Sequence, residues 1–311
     1  MITCNLNGGL GNQLFQIFAT IAYSLLYKIP FGFLYKESLG GRFHNRHTYW
    51  HSFLSPLANF NYESIPSMLP LREQNFMYNE LPSPTALKSE NIVLSGYFQS
   101  YKYFAPFFPT ICKLIRLDKQ REQVLHEMTR TPSATAIATQ EVQSLTFDNA
   151  AHVYGSQHIY DIADISNMVS MHFRIGDYKY LQNSHPLISI EYYKKSVAHI
   201  ISLTNNNALS IMYFCEKDDN VEVLDKINEL RIVFPECSFI KAPDNADDWK
   251  QLLMMSCCKH HIIANSTFSW WGAHFNSNED KIVCYPDTWF GPSANHNVDD
   301  LFPDTWTRIS A

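Results

Sequence analysis

Residues 260–275 read HHIIANSTFSWWGAHF. A short apolar run ends on Asn265, hydroxyl residues follow at Ser266, Thr267 and Ser269, and a bulky aromatic segment comes after. Hydroxyl side chains accept hydrogen bonds from the first free N–H groups of a helix, so the stretch reads as a strand turning into a helix. Asn265-Ser266-Thr267 also spells a glycosylation acceptor, but a strand-to-helix corner is a poor site for one. Four more apolar runs have the same form: NMVSMHF from 167, ALSIMYFC from 208, CSFIKA from 237 and KIVCYP from 281. Between the runs lie SIEYYKKSVAHIISL, DNVEVLDKINELRIVF and DWKQLLMMSCC, which carry helical patterning. Apolar strands alternating with helices predict β–α–β units and a parallel sheet buried on both faces. Ligands of such sheets sit beyond the strand C-termini, so the residues just after each run are the candidates for chemistry.

After NMVSMHF comes RIGDYKY. Arg174 closes a strand there, with His172 two residues earlier on the same side. A guanidinium at that place suits a phosphate, with two parallel donors and a permanent charge. Its other reading is a structural bridge to Asp177. A histidine in an apolar strand is ordinarily a hydrogen-bonded core residue, and the neighbouring Arg174 is what brings His172 into the site. At the end of the 260–265 run, Ser266, Thr267 and Ser269, with Phe268 among them, offer hydroxyls and free helix N–H groups as a seat for an oxyanion. Trp270 and Trp271 read as core. After ALSIMYFC comes EKDDN, where Asp218 and Asp219 are either a metal-bound nucleotide site or the acidic first turn of a helix.

The chain opens MITCNLNGGLGNQLFQ. Gly8, Gly9 and Gly11 let backbone pass where a Cβ would collide, and LFQIFATIAYSLLY then recurs at three and four, as a helix does. Strand, glycine loop and helix follow in order, so the free N–H groups of the helix point at whatever occupies the loop. A tight turn that only closes a β–α unit is the alternative. The dinucleotide fingerprint fails at Leu14 and the P-loop fails at Asn12-Gln13. FGFLYKE and NIVLSG read as strands and KLIRLDKQREQVLHEMTR as a helix, while Gly40–Pro84 is rich in aromatics and proline. Residues 131–164 have weak periodicity and read as containing an interdomain connection.

With 46% hydrophobic and 17% charged residues among 311, the chain is globular and long enough for a large core. A net charge of −6 argues against a broad nucleic-acid surface. Seven cysteines without a C-x-x-C pair read as reduced, buried thiols rather than a disulfide framework or a zinc site. No signal peptide and no apolar run of the ~18 residues that a span requires point to a soluble, cytoplasmic protein.

Taken together, GGLGNQLFQ, GYFQSYKYF, HFRIGDY and KHHIIANSTFSWWGAHFN resemble, in order and spacing, the α-1,2-fucosyltransferases of glycosyltransferase family 11. The resemblance implies an α/β, GT-B-like fold of two Rossmann-like domains facing across a cleft. Residues 1–160 would form the acceptor-side domain and residues 161–311 the nucleotide-sugar domain. It implies GDP-L-fucose as donor, a glycan acceptor attacked through a hydroxyl such as the 2-OH of a galactoside, inversion at the anomeric carbon, and neither metal nor cofactor. Arg174, Asp177 and Asn12 would be catalytic. Gly9, Gly11, Asn12, His172, Arg174, Asp248, Asn265, Ser266, Thr267, Phe268 and Ser269 would hold the donor, the glycine loop closing onto it from the opposite wall. Two departures stand out. Family members usually carry a second arginine where this chain has Ile175, and an acid at the position of Gln251, with Asp248 one turn earlier as the substitute. These leave open a transferase of another nucleotide-deoxysugar, or a glycan-binding protein without turnover.

Overall fold

The computed structural model describes residues 1–40, 46–129, 162–294 and 296–310. The C-terminal half contains the predicted parallel sheet. Its strands are β4 (Val169–His172), β5 (Ser210–Phe214), β6 (Ser238–Lys241), β7 (His260–Ile262), β8 (Val283–Pro286) and β9 (Thr307–Ile309). They lie side by side as β6-β5-β4-β7-β8-β9, every pair parallel. Counted within this half, the order is 3-2-1-4-5-6, that of a doubly wound nucleotide-binding sheet. The order reverses between β4 and β7, which opens a crevice beyond their C-terminal ends. The crossovers are α4 (Ile190–Thr204), α5 (Asn220–Val233), α6 (Asp248–Cys257) and α7 (Thr267–Phe275).

The N-terminal half is smaller. Strands β1 (Ile2–Cys4), β2 (Leu69–Arg72) and β3 (Ile92–Ser95) form a parallel sheet in the order β1-β3-β2. Helix α1 (Leu10–Tyr27) follows β1 and ends at Lys28, which turns left-handed at φ 56 with Pro30 two residues on. FGFLYKE contributes only the two-residue strand Phe33–Leu34, paired with Asn61–Tyr62. The single helix expected from Lys113 is two helices, α2 (Phe108–Leu114) and α3 (Leu117–Thr129). Arg116 breaks them apart at φ 54, a conformation that no helix interior accepts. The division between residues 160 and 161, and most of the expected interdomain connection, lie outside the described residues.

One core spans both halves. Phe15 and Phe18 of α1, Phe104, and Trp270, Trp271 and Phe275 of α7 all belong to it. A second core lies on the opposite face of the large sheet, between β4, β5 and helices α4 and α5, and includes Ile175. Trp270 and Trp271 are fully buried, as expected for core. Trp271 stacks on Phe104 at 5.3 Å, packs 4.6 Å from Phe18, and donates its indole N–H to the Gly11 carbonyl at 2.9 Å. Trp271→Ala removes that packing and one bond between the halves. Urea denaturation should show a loss of ~3–5 kcal/mol, the range for large aromatic truncations. A loss below ~1 kcal/mol would mean that the shared core is incidental to stability.

The seven cysteines are free, five of them buried, and burial raises the thiol pKa of Cys4 and Cys284 to about 12. Among the described residues no helix is long and apolar enough to cross a membrane, and no group of three His, Cys, Asp or Glu side chains is arranged to hold a metal.

Candidate active site

A cavity of ≈ 880 Å³ runs across the C-terminal ends of β4 to β8 and is walled by both halves of the chain. It lies over the β4–β7 reversal. The predicted residues Gly9, Gly11, Asn12, His172, Arg174, Asp177, Asp248, Asn265, Ser266, Thr267 and Phe268 all line it. Ser269 sits just behind, hydrogen-bonded to His172.

Arg174 follows β4 by two residues. Its guanidinium is ion-paired to Asp177 and Glu216 and lies over the Tyr178 ring, 4.8 Å from the centroid. Asp177 also receives Arg46 at 3.4 Å. The bridge to Asp177 is therefore present, and the same side chain faces the cavity. Asp177 is occupied by two guanidinium groups, an arrangement that orients Arg174 more readily than it receives a substrate proton. Glu216, first residue of EKDDN, is the acid that meets Arg174. Asp219 is buried instead, accepting from the Gly176 amide at 2.7 Å and pairing with Lys179 at 3.1 Å. Neither Asp218 nor Asp219 lines the cavity.

His172 is buried, and burial together with the Arg174 charge lowers its pKa to about 3. Ser269 donates to the Ser266 carbonyl at 3.3 Å, so its oxygen accepts the Nδ1 proton of His172 at 2.9 Å. The imidazole is a neutral strut beneath the crevice. Ser266 caps α7 by accepting the Phe268 amide at 3.3 Å. Asn265 donates to the carbonyls of Pro186 and Trp289, while its Oδ1 is buried without a partner.

The three glycines have separate reasons. Gly8 adopts φ +80, the left-handed turn that admits α1. A Cβ on Gly9 would meet open space. Gly11 lies inside α1, and its Cβ would stand 2.5 Å from the Thr267 backbone. The two helix N-termini therefore touch, and the contact is closed by Thr267 Oγ1 donating to Asn12 Oδ1 at 2.8 Å. Asn12 Oδ1 also accepts from Gln99 at 3.0 Å. Gly11→Ala forces α1 away from α7. The expected cost is ~1–3 kcal/mol of stability, as for other overpacked sites. A urea midpoint equal to that of the parent protein would show that this seam has slack.

At the β6 end of the cavity, Tyr49 donates to Asp248 Oδ2 at 2.5 Å, and burial next to that carboxylate raises the phenol pKa. Gln251 lines the same end and ties down the loop before α6 through the carbonyls of Pro243 and Ala246. Ile175 points into the second core, so an arginine at its position would not reach the cavity in this arrangement. Sequence reasoning did not find Arg46, Tyr49, Phe76, Gln99, Phe290 or His296. Glu216 was passed over too, although it is the first acid after a strand, and Gln99 lies inside the block GYFQSYKYF.

The family model for Glycosyl transferase family 11 matches residues 140–310. The O-antigen biosynthesis glycosyltransferase WbnK of Escherichia coli is 32% identical over 157 residues, 49% of this chain and 48% of that protein. An alpha-1,2-colitosyltransferase of Escherichia coli is 32% identical over 159 residues, 50% of this chain and 51% of its own. A galactoside 2-alpha-L-fucosyltransferase of Caenorhabditis elegans is 22% identical over 223 residues, covering 70% and 53%. The chain spans about half the length of the curated relatives it matches.

Proposed function

Because the chain belongs to glycosyl transferase family 11, we propose that it transfers L-fucose from GDP-fucose to a glycan hydroxyl, the 2-OH of a galactoside, with inversion and without a metal. The observation that carries this reading is Arg174, held beside the α7 N-terminus at the point where the sheet order reverses. The anomeric C–O bond breaks toward the diphosphate, the acceptor oxygen attacks from the opposite face, and its proton leaves to water or to the departing phosphate. Charge grows on the diphosphate as the bond lengthens. Arg174, the Ser266 hydroxyl and the α7 N–H groups are fixed donors for that charge, while the Thr267 hydroxyl is spent on Asn12 and holds the seam beside them. Phe268, His172 and Ser269 support this seat, and Asp177 positions Arg174. Gly9, Gly11, Asn12 and Asn265 bound it on the other walls. Asp248, at the β6 end, suits the paired N–H donors of guanine. The two halves, divided near residue 160, are read as the two Rossmann-like lobes of a GT-B enzyme with the cavity as their cleft.

A second reading, transfer of another deoxysugar such as colitose, draws on the similarity to the protein named a colitosyltransferase. Incubating purified protein with GDP-fucose and a panel of galactosides in EDTA, and measuring GDP release, tests the first reading. Calorimetric titration with GDP, UDP and dTDP tests the nucleotide, and a preference for UDP or dTDP would reject it.

A further inference from the structure

At the β8 end of the cavity an aromatic rim joins the two halves. Phe76, from the strap after β2, stacks on His296 at 4.2 Å and meets Phe290 edge-on at 5.1 Å. Phe290 lies 5.7 Å from His185, which stacks on Tyr178 at 4.8 Å. All five line the cavity; none is fully buried, and His296 is exposed. The rim is held in place. Asp300 accepts the Tyr78 amide at 3.1 Å and is ion-paired to Lys102, while Ser100 donates to its carbonyl at 2.6 Å. Beside the rings, the Ser184 and Ser293 hydroxyls meet at 2.9 Å and also face the cavity.

We propose that this rim is the seat of the acceptor sugar, a galactopyranose stacked through its C–H face on Phe76, Phe290 and His296; the proposal rests on the transferase reading above. A diphosphate over the α7 N-terminus sits between β4 and β7, with its nucleoside extending one way and the transferred sugar the other. Past β5 and β6 the wall carries Glu216, Asp244 and Asp248, acceptors for ribose hydroxyls and purine N–H groups. Past β8 the described residues of the wall supply rings and hydroxyls and no carboxylate. That surface matches a galactose ring, whose hydrogens on C3, C4 and C5 form one apolar face while O2 stands at the edge, free to attack the anomeric carbon of the donor. The nucleobase is the competing occupant.

Bisubstrate initial rates with GDP-fucose and a methyl β-galactoside separate the two, using Phe76→Ala and the exposed His296→Ala. The expected result is an acceptor KM raised about tenfold in each, with donor KM within about twofold of the parent value. A raised donor KM would assign the rim to the base and overturn the proposal, and so would no change in either constant. Calorimetric titration of the same galactoside onto the GDP-loaded protein reads the seat without turnover. Binding by the parent chain that is lost in both variants supports the seat even if no donor is consumed, an outcome that would sink only the transferase reading.

Discussion

Arg174→Ala lowers kcat/KM for transfer by about 10²–10³-fold, the typical consequence of removing one preorganised donor from a site of developing charge. The truncation does more than delete a cation. It leaves Asp177 and Glu216, both now paired to the guanidinium, facing the space where a diphosphate would accumulate negative charge. Repulsion then adds to the lost attraction, so Glu216→Gln in the Arg174→Ala background should recover part of the activity. Arg174→Lys should recover less than a conserved charge suggests, because an ammonium cannot hold two carboxylates and a phosphate in one planar fork. Initial rates over a range of GDP-fucose concentrations decide the matter; an Arg174→Ala protein with the parent kcat and kcat/KM would remove the mechanism.

Acid unfolds this protein early, between about pH 6.5 and pH 4. Three buried histidines, His172, His260 and His261, and the half-buried His274 are held neutral. Burial lowers the pKa of His172 and His274 to about 3 and that of His260 to about 4, each from 6.5, and pushes His261 well down. The contacts of His261 explain why. Asn276 donates to its Nε2 at 2.8 Å and to the Cys258 carbonyl, so that nitrogen must accept, while Nδ1 meets Ser170 at 2.8 Å. Protonation would set two donors against each other. The unfolded chain binds protons at these histidines as pH falls through 6.5, whereas the folded chain holds His260 neutral to about 4 and His172 and His274 to about 3, with His261 also well below its ordinary value. Stability is therefore complete above pH 7 and lost on acidification. Each histidine contributes up to ~1.4 kcal/mol per pH unit, so the four together reach about 5 kcal/mol per pH unit. A typical stability of ~5–15 kcal/mol is exhausted within a few units. Urea midpoints at pH 7.5, 6.5 and 5.5, above the range of ordinary carboxylates, isolate the effect. His274→Phe, which keeps the ring stacked on Trp270, should flatten the dependence by about one proton. Midpoints that do not move with pH would show that these histidines are already charged in the fold.

The large sheet is legible because its strands are buried on both faces and so read as apolar runs bounded by polar residues. Among the strands β1 to β9 two escape that signal. β2 carries Pro70 and is tolerated because it lies at a sheet edge, where a missing donor faces no partner. β9, with Thr307, Arg308 and Ile309, is too short and polar to show a period. The site divides in the same way. Arg174, Ser266 and Thr267 are found because topology places ligands at strand ends. Tyr49 and Phe76 enter the cavity from loops whose position depends on the folding of the whole N-terminal half, and no local pattern announces them; Gln99 lies in the block GYFQSYKYF, which gives it no role until Asn12 is seen beside it. A glycine at 11 announces close approach, but its partner is Thr267, and only the folded chain supplies that.

The seam between Gly11 and Thr267 also governs how such enzymes can be recombined. A chimera that joined the first half of one homologue to the second half of another would bring together two helix ends shaped by separate histories. A bulkier residue at either end would wedge the parts open before any substrate arrived. Grafts that exchange acceptor preference should therefore transplant surface straps and leave the α1 and α7 ends as a matched pair from a single parent.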